Sequence, residues 1–160
     1  MKTAIIYYSM SGNTSYVAEK IATTLSADLI PLIPQKAYPD SGFKKFFWGG
    51  KSAIMGNKPV LEPYFFDPAV YDLVILGSPV WAGTFAPPLR TFLHQHRGDL
   101  KGKRVAAFFC CSGGPGKVLE KFRDYLNGIR PEQELVLIEP KDKPSPDTDR
   151  MIDDFCSALQ

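Results

Sequence analysis

Short apolar runs and amphipathic stretches alternate from one end of this chain to the other. Ala4–Tyr8 is an unbroken apolar run of strand length, suited to burial on both faces. Ser15 to Leu25 then shows helical spacing, with Val17, Ile21 and Leu25 on one face. Asp28–Pro34 reads as a second strand, and Pro31 and Pro34 place it at an edge. Leu73–Leu76, Val105–Cys111 and Leu135–Ile138 are the third, fourth and fifth strands. Between them, Pro87 and Pro88 start a helix that runs to about His94. Lys117 to Leu126 forms another helix, closed by Asn127-Gly128. Pro146 to Leu159 is the last, with Asp147 or Thr148 near its start and Met151, Ile152 and Phe155 turned inward.

Strands alternating with helices predict an α/β three-layer sandwich: a doubly wound, five-stranded parallel sheet covered on both sides. Its connections are expected to be right-handed. In such sheets ligands bind beyond the carboxyl ends of the strands, where the strand order reverses. The loops to watch are therefore Ser9–Thr14, Gly77–Thr84 and Ser112–Gly116.

One stretch, Gln35 to Tyr71, breaks the alternation. It holds Phe43, Phe46, Phe47 and Trp48, then Gly49-Gly50, and the lysines Lys36, Lys44, Lys45, Lys51 and Lys58. A short helix over Ser41–Met55 is compatible with its composition, weakened in the middle by the glycines. The lysines would favour an acidic partner surface, or would simply keep an aromatic segment soluble. The aromatics either pack into the core or close a site, in this chain or in a second copy, so a homodimer is an open expectation.

Composition narrows the function. At 160 residues the chain is long enough for one domain with a real core, and we read residues 1–160 as that single domain. A net charge of +2 gives no nucleic-acid footprint. No apolar run has the length of a membrane span, and the N-terminus lacks signal-peptide architecture. Cys110, Cys111 and Cys156 have no metal-like spacing. Adjacent strand residues point to opposite faces, so Cys110 and Cys111 are read with Cys156 as buried free thiols of a cytoplasmic protein. His94 and His96 read as surface residues, and no metal site is expected.

The three loops carry the chemistry. Ser9, Ser11, Gly12, Asn13 and Thr14 follow a strand and open a helix, where backbone amides, hydroxyls and the helix dipole converge on an anion. Neither G-x-x-x-x-G-K-[ST] nor G-x-G-x-x-G is present, which favours a terminal monophosphate held by neutral donors. The plainer alternative is a helix cap, although one cap does not need so many small polar residues. In Gly77–Pro88, rigid Pro79 and flexible Gly83 bracket Trp81, which either lies beside a planar ligand or packs as a core aromatic. In Ser112–Gly116 the glycines let the backbone approach a flat ring, or make an ordinary turn.

In this order, at three strand ends, the loops resemble those of the flavodoxin family. Ser9, Met10, Ser11, Gly12, Asn13 and Thr14 match the loop that holds the FMN phosphate in that family. Ser78, Pro79, Val80, Trp81, Ala82 and Gly83 are similar to its ring-contacting second loop, and Ser112, Gly113, Gly114 and Gly116 occupy the place of the third. The resemblance covers nearly the whole chain and matches the short-chain type. It implies strand order 2-1-3-4-5, FMN as cofactor, and electron transfer through non-covalently bound flavin. It also implies a backbone rearrangement in the second loop, with the Ala82-Gly83 peptide presenting a carbonyl to flavin N5 when that atom is protonated.

Two features depart from the family. Many electron-carrying flavodoxins are strongly acidic, and this chain is not. Many place an aromatic in the third loop, and Ser112–Gly116 has none. The expected function is an electron carrier working with a redox partner protein. The alternative is an NAD(P)H-dependent FMN oxidoreductase that passes electrons to quinones or similar small acceptors.

Overall fold

The computed structural model describes residues 1–39, 51 and 55–160. The expected helix over Ser41–Met55, with Phe43, Phe46, Phe47, Trp48 and the paired glycines, falls almost wholly outside the described residues. Five parallel strands form the sheet: β1 (Thr3–Tyr7), β2 (Asp28–Pro31), β3 (Leu73–Trp81), β5 (Arg104–Cys111) and β6 (Gln133–Ile138). They lie in the order β2-β1-β3-β5-β6, and the short β4 (Thr84–Phe85) pairs antiparallel with the end of β3. With β4 set aside, this is the order 2-1-3-4-5. Among the described residues the α-helices of more than two turns are α1 (Asn13–Leu25), α2 (Pro87–His96), α3 (Val118–Leu126) and α4 (Pro146–Leu159).

Side chains alternate across the strands and build two cores. Ala4 and Ile6 of β1, Val74 and Leu76 of β3, and Val105, Ala107 and Phe109 of β5 face α2 and α3, where they meet Leu89, Phe92 and Phe122. Ile5, Ile75, Ala106 and Phe108 face the other way, onto Val17 and Ile21 of α1 and Ile152 and Phe155 of α4. Unbroken apolar runs are what a strand covered on both faces requires.

Several boundaries move for physical reasons. β2 ends at Pro31 rather than Pro34. Residues 33–35 turn away and pair with 60–62 through Glu62 N–H to Ile33 O at 2.7 Å and Gln35 N–H to Val60 O at 2.9 Å. β3 runs five residues past Leu76 because Gly77, Ser78 and Pro79 stay in register with Phe108, Phe109 and Cys110. Gly77 cannot carry a side chain there, since a Cβ would stand 2.3 Å from the Phe108 ring. The cap of α4 is Ser145, whose Oγ accepts the Thr148 N–H at 3.1 Å, with Pro146 in the first turn. Met151 is partly exposed rather than inward, while Ile152, Phe155, Cys156 and Leu159 are buried. Asn127 at φ 50° and Gly128 at φ 95° close α3 as expected.

Candidate functional site

The loop after β1 is built to leave amides available. Gly12 is the N-cap of α1 with φ 95° and ψ −7°, a conformation glycine adopts without steric cost. The first helical bond runs from Tyr16 N–H to Gly12 O at 3.0 Å, and the Ser15 N–H is already taken by Ser9 Oγ at 3.1 Å. The amides of Ser11, Gly12, Asn13 and Thr14 come before both. Among the described residues they have no acceptor, and they lie at the positive end of the α1 dipole. Ser9 and Asn13 therefore do act partly as structural residues. The Asn13 carboxamide accepts the Lys141 N–H at 2.9 Å and donates to Asp142 Oδ2 at 3.0 Å. Ser11, Asn13 and the buried Thr14 line a cavity, with Met10 beside them.

The second loop is a β-hairpin that the sequence did not announce. Trp81 pairs with Thr84 and Val80 with Phe85, and the two residues between, Ala82 and Gly83, have φ 50° and φ 71°. Two positive φ values in succession make a type I′ turn, for which asparagine or glycine is the usual first residue. Ala82 in that position hides the signal and carries strain. The buried Ser78 secures the base of the hairpin: its Oγ accepts the Ala86 N–H at 2.8 Å and donates to Pro79 O at 2.8 Å. Trp81 packs edge-on against Tyr8 (5.6 Å, 88°) and Tyr38 (5.1 Å, 81°), and it also borders the cavity.

The loop after β5 completes the enclosure. Pro79, Val80, Trp81, Ala82 and Gly83 face Ser112, Gly113 and Gly114 across a cavity of about 390 Å³, with Met10, Ser11, Asn13 and Thr14 along a further wall. A Cβ on Gly113 or Gly114 would meet nothing within 4 Å, so their backbone is open to a flat ligand. Ser9, Gly12, Ser78 and Gly116 do not border the cavity; Ser78 bonds Pro79 and Gly116 packs on Gly83, which do, while Ser9 and Gly12 hold the first turn of α1 through Ser15 and Tyr16. Cys110 and Cys111 were not expected at the site, yet both line it. Their place at the carboxyl end of a parallel strand was the available signal.

The cavity floor is electrically quiet. Burial pushes the Cys110 thiol up to about 12, against an opposing pull from Thr14. Burial likewise raises Cys111 and lifts the Tyr8 phenol well above its ordinary range, so all three stay neutral near pH 7. Neither strand-end cysteine is a poised nucleophile. Away from this site, His96 is half-buried between Asp99 and the Tyr64 hydroxyl, at 3.0 and 3.1 Å. Among the described residues no group of three His, Cys, Asp or Glu side chains comes together as a metal site, and no helix is long and apolar enough to cross a membrane.

A doubly wound sheet whose first, third and fifth strands hand three loops to one cavity defines a class of α/β binding protein. The flavodoxin family model matches residues 2–139. A flavoprotein of Lactobacillus acidophilus, crystallised in complex with FMN, is 30% identical with a TM-score of 0.70, covering 88% of this chain and 95% of that one. A flavoprotein of Bacteroides eggerthii superposes with a TM-score of 0.75 at 21% identity, over 98% of each chain. Flavodoxin 1 of Bacillus cereus does so with a TM-score of 0.58 at 20% identity, over 99% of this chain and 97% of that one. The chain belongs to the flavodoxin family.

Proposed function

We propose that this protein binds one FMN non-covalently in the cavity and acts as an electron carrier between redox partners. The family and the FMN complex of the Lactobacillus relative support FMN as the cofactor. The observation that carries the reading is the convergence of the three strand-end loops on one cavity, with the start of α1 at one end and open glycine backbone at another.

The residues fit that cofactor. The amides of Ser11–Thr14 with the hydroxyls of Ser11 and Thr14 suit a phosphate, and Trp81 with Gly113-Gly114 suits a flat ring. Bound FMN would supply the redox chemistry. The protein's part is to hold and orient it. Ser78 keeps the hairpin in place, Tyr8 and Tyr38 keep Trp81 in place, and the Ala82-Gly83 peptide offers a turn that can present either its N–H or its C=O at the ring edge.

At about 390 Å³ the cavity lies toward the small end of ligand pockets, roughly 300–1,000 Å³. That suits one cofactor, with electrons entering and leaving at the rim. We place the protein in the cytoplasm, with the exposed Lys36 and Lys58 favouring an acidic partner surface. One observation favours the reductase reading: nothing crowds Gly113 and Gly114, so a nicotinamide or a quinone would have access there. Anaerobic mixing of holoprotein with NADH or NADPH separates the two. A carrier keeps its flavin absorbance and is reduced by a ferredoxin-type donor; rapid bleaching identifies the reductase.

A further inference from the structure

We propose that Lys141 is the cation of the phosphate end of the site, and that it adds to the preference for a phosphorylated flavin over the unphosphorylated one. This rests on the FMN reading above. The loop after β1 has no lysine or arginine of its own, so on sequence the phosphate would meet only neutral donors. Folding supplies a cation from the far end of the chain. The Lys141 N–H donates to Asn13 Oδ1 at 2.9 Å, and Asn13 Nδ2 donates to Asp142 Oδ2 at 3.0 Å. These two bonds pin the loop after β6 to the first residue of α1.

The Lys141 side chain then lies over Gly12. A Cβ at Gly12 would stand 2.7 Å from Lys141 Nζ and 3.4 Å from its Cδ. By covalent geometry the ammonium is then within about 5 Å of the Gly12 amide, one of the four at the helix start. Gly12 is required for its φ of 95°, and its lack of a side chain also leaves the lysine end room to lie close to the backbone.

The charge on Lys141 is also uncommitted. Among the described residues it has no carboxylate within 4.0 Å. Lys143, two positions on, is paired with Glu139. A phosphate monoester carries roughly −1.5 to −2 charges at pH 7. Lys141 would attract it and offset the nearby Asp142, and because the lysine is exposed the attraction should weaken with salt. An unphosphorylated flavin would gain nothing from it.

The test titrates apoprotein with FMN and with riboflavin at low and at high salt, following flavin fluorescence, for wild type, Lys141→Met and Lys143→Met. We expect Lys141→Met to weaken FMN binding about three- to fivefold at low salt and less at high salt. Riboflavin binding should not change, and Lys143→Met should match wild type. An unchanged thermal midpoint in Lys141→Met shows that the Asn13 bond, made by the backbone, survives. The proposal is overturned if Lys141→Met leaves FMN affinity unchanged at low salt, weakens both flavins equally, or is matched by Lys143→Met. Wild-type protein that binds neither flavin overturns the FMN reading and this proposal with it. Wild type that binds FMN no better than Lys141→Met does overturns this proposal alone.

Discussion

Gly116 and Gly83 meet backbone to backbone: a Cβ at position 116 would stand 2.9 Å from the Gly83 α-carbon. The contact joins the second loop to the third, so the two walls of the cavity are set against each other rather than placed independently. Gly116 also has φ 53°, so a side chain there is strained as well as crowded. We predict that Gly116→Ala destabilises the fold by about 2 kcal/mol and weakens FMN binding about tenfold, because the hairpin must move. Urea unfolding and flavin titration would check both effects.

Gly83 itself has room for a methyl group, since the atom nearest to a Cβ there would be Lys117 N at 3.6 Å, but its φ of 71° disfavours one. Gly83→Ala should therefore fold normally, at a cost of about 1 kcal/mol, and bias the Ala82-Gly83 peptide toward one orientation. The expected result is a shift in the reduction potentials of the loaded protein, read by anaerobic redox titration. Potentials equal to wild type would show that this peptide does not tune the site.

Gly77 lies under the Phe108 ring in the pairing of β3 with β5. Gly77→Ala forces that ring out of the core shared with α1 and α4, and should cost about 2–4 kcal/mol. A fall of that size in the stability measured by chemical unfolding is expected; a loss under about 0.5 kcal/mol would mean that Phe108 repacks freely.

The buried thiols predict an alkaline weakness. Burial raises Cys110 to about 12 and Cys156 to about 11 from an unperturbed 9.0. The folded protein keeps protons that the unfolded chain gives up first. This contribution to stability is therefore complete below about pH 9 and is lost as pH rises toward about 11–12. Unfolding midpoints should decline across that window, and less steeply in Cys110→Ala. A thiol assay at neutral pH should find the native cysteines unreactive and all three reactive after denaturation.

Much of this arrangement was legible in the sequence. The strand runs were readable because burial on both faces leaves an unbroken apolar signal, and the Ser9–Thr14 loop because small polar residues gathered between a strand and a helix mark the turn that opens α1. The β3–β4 hairpin was not, since Ala82 occupies a turn position where asparagine or glycine would have marked it. Pairing of residues 33–35 with 60–62 was hidden because each half looks like loop on its own. Lys141 could not be found at all: its bond to Asn13 spans 128 positions, and no local pattern encodes such a contact. Cys110 and Cys111 look like core alone in the sequence, although the strand end they occupy is also the wall of the cavity.

The most direct test of the central claim compares FMN with riboflavin on wild-type apoprotein and on the double variant Ser11→Ala/Thr14→Ala. If the phosphate is held by the start of α1, wild type binds one FMN per chain, and the double variant loses roughly a hundredfold in FMN affinity while its riboflavin affinity stays the same. A double variant that retained full FMN affinity would contradict the account.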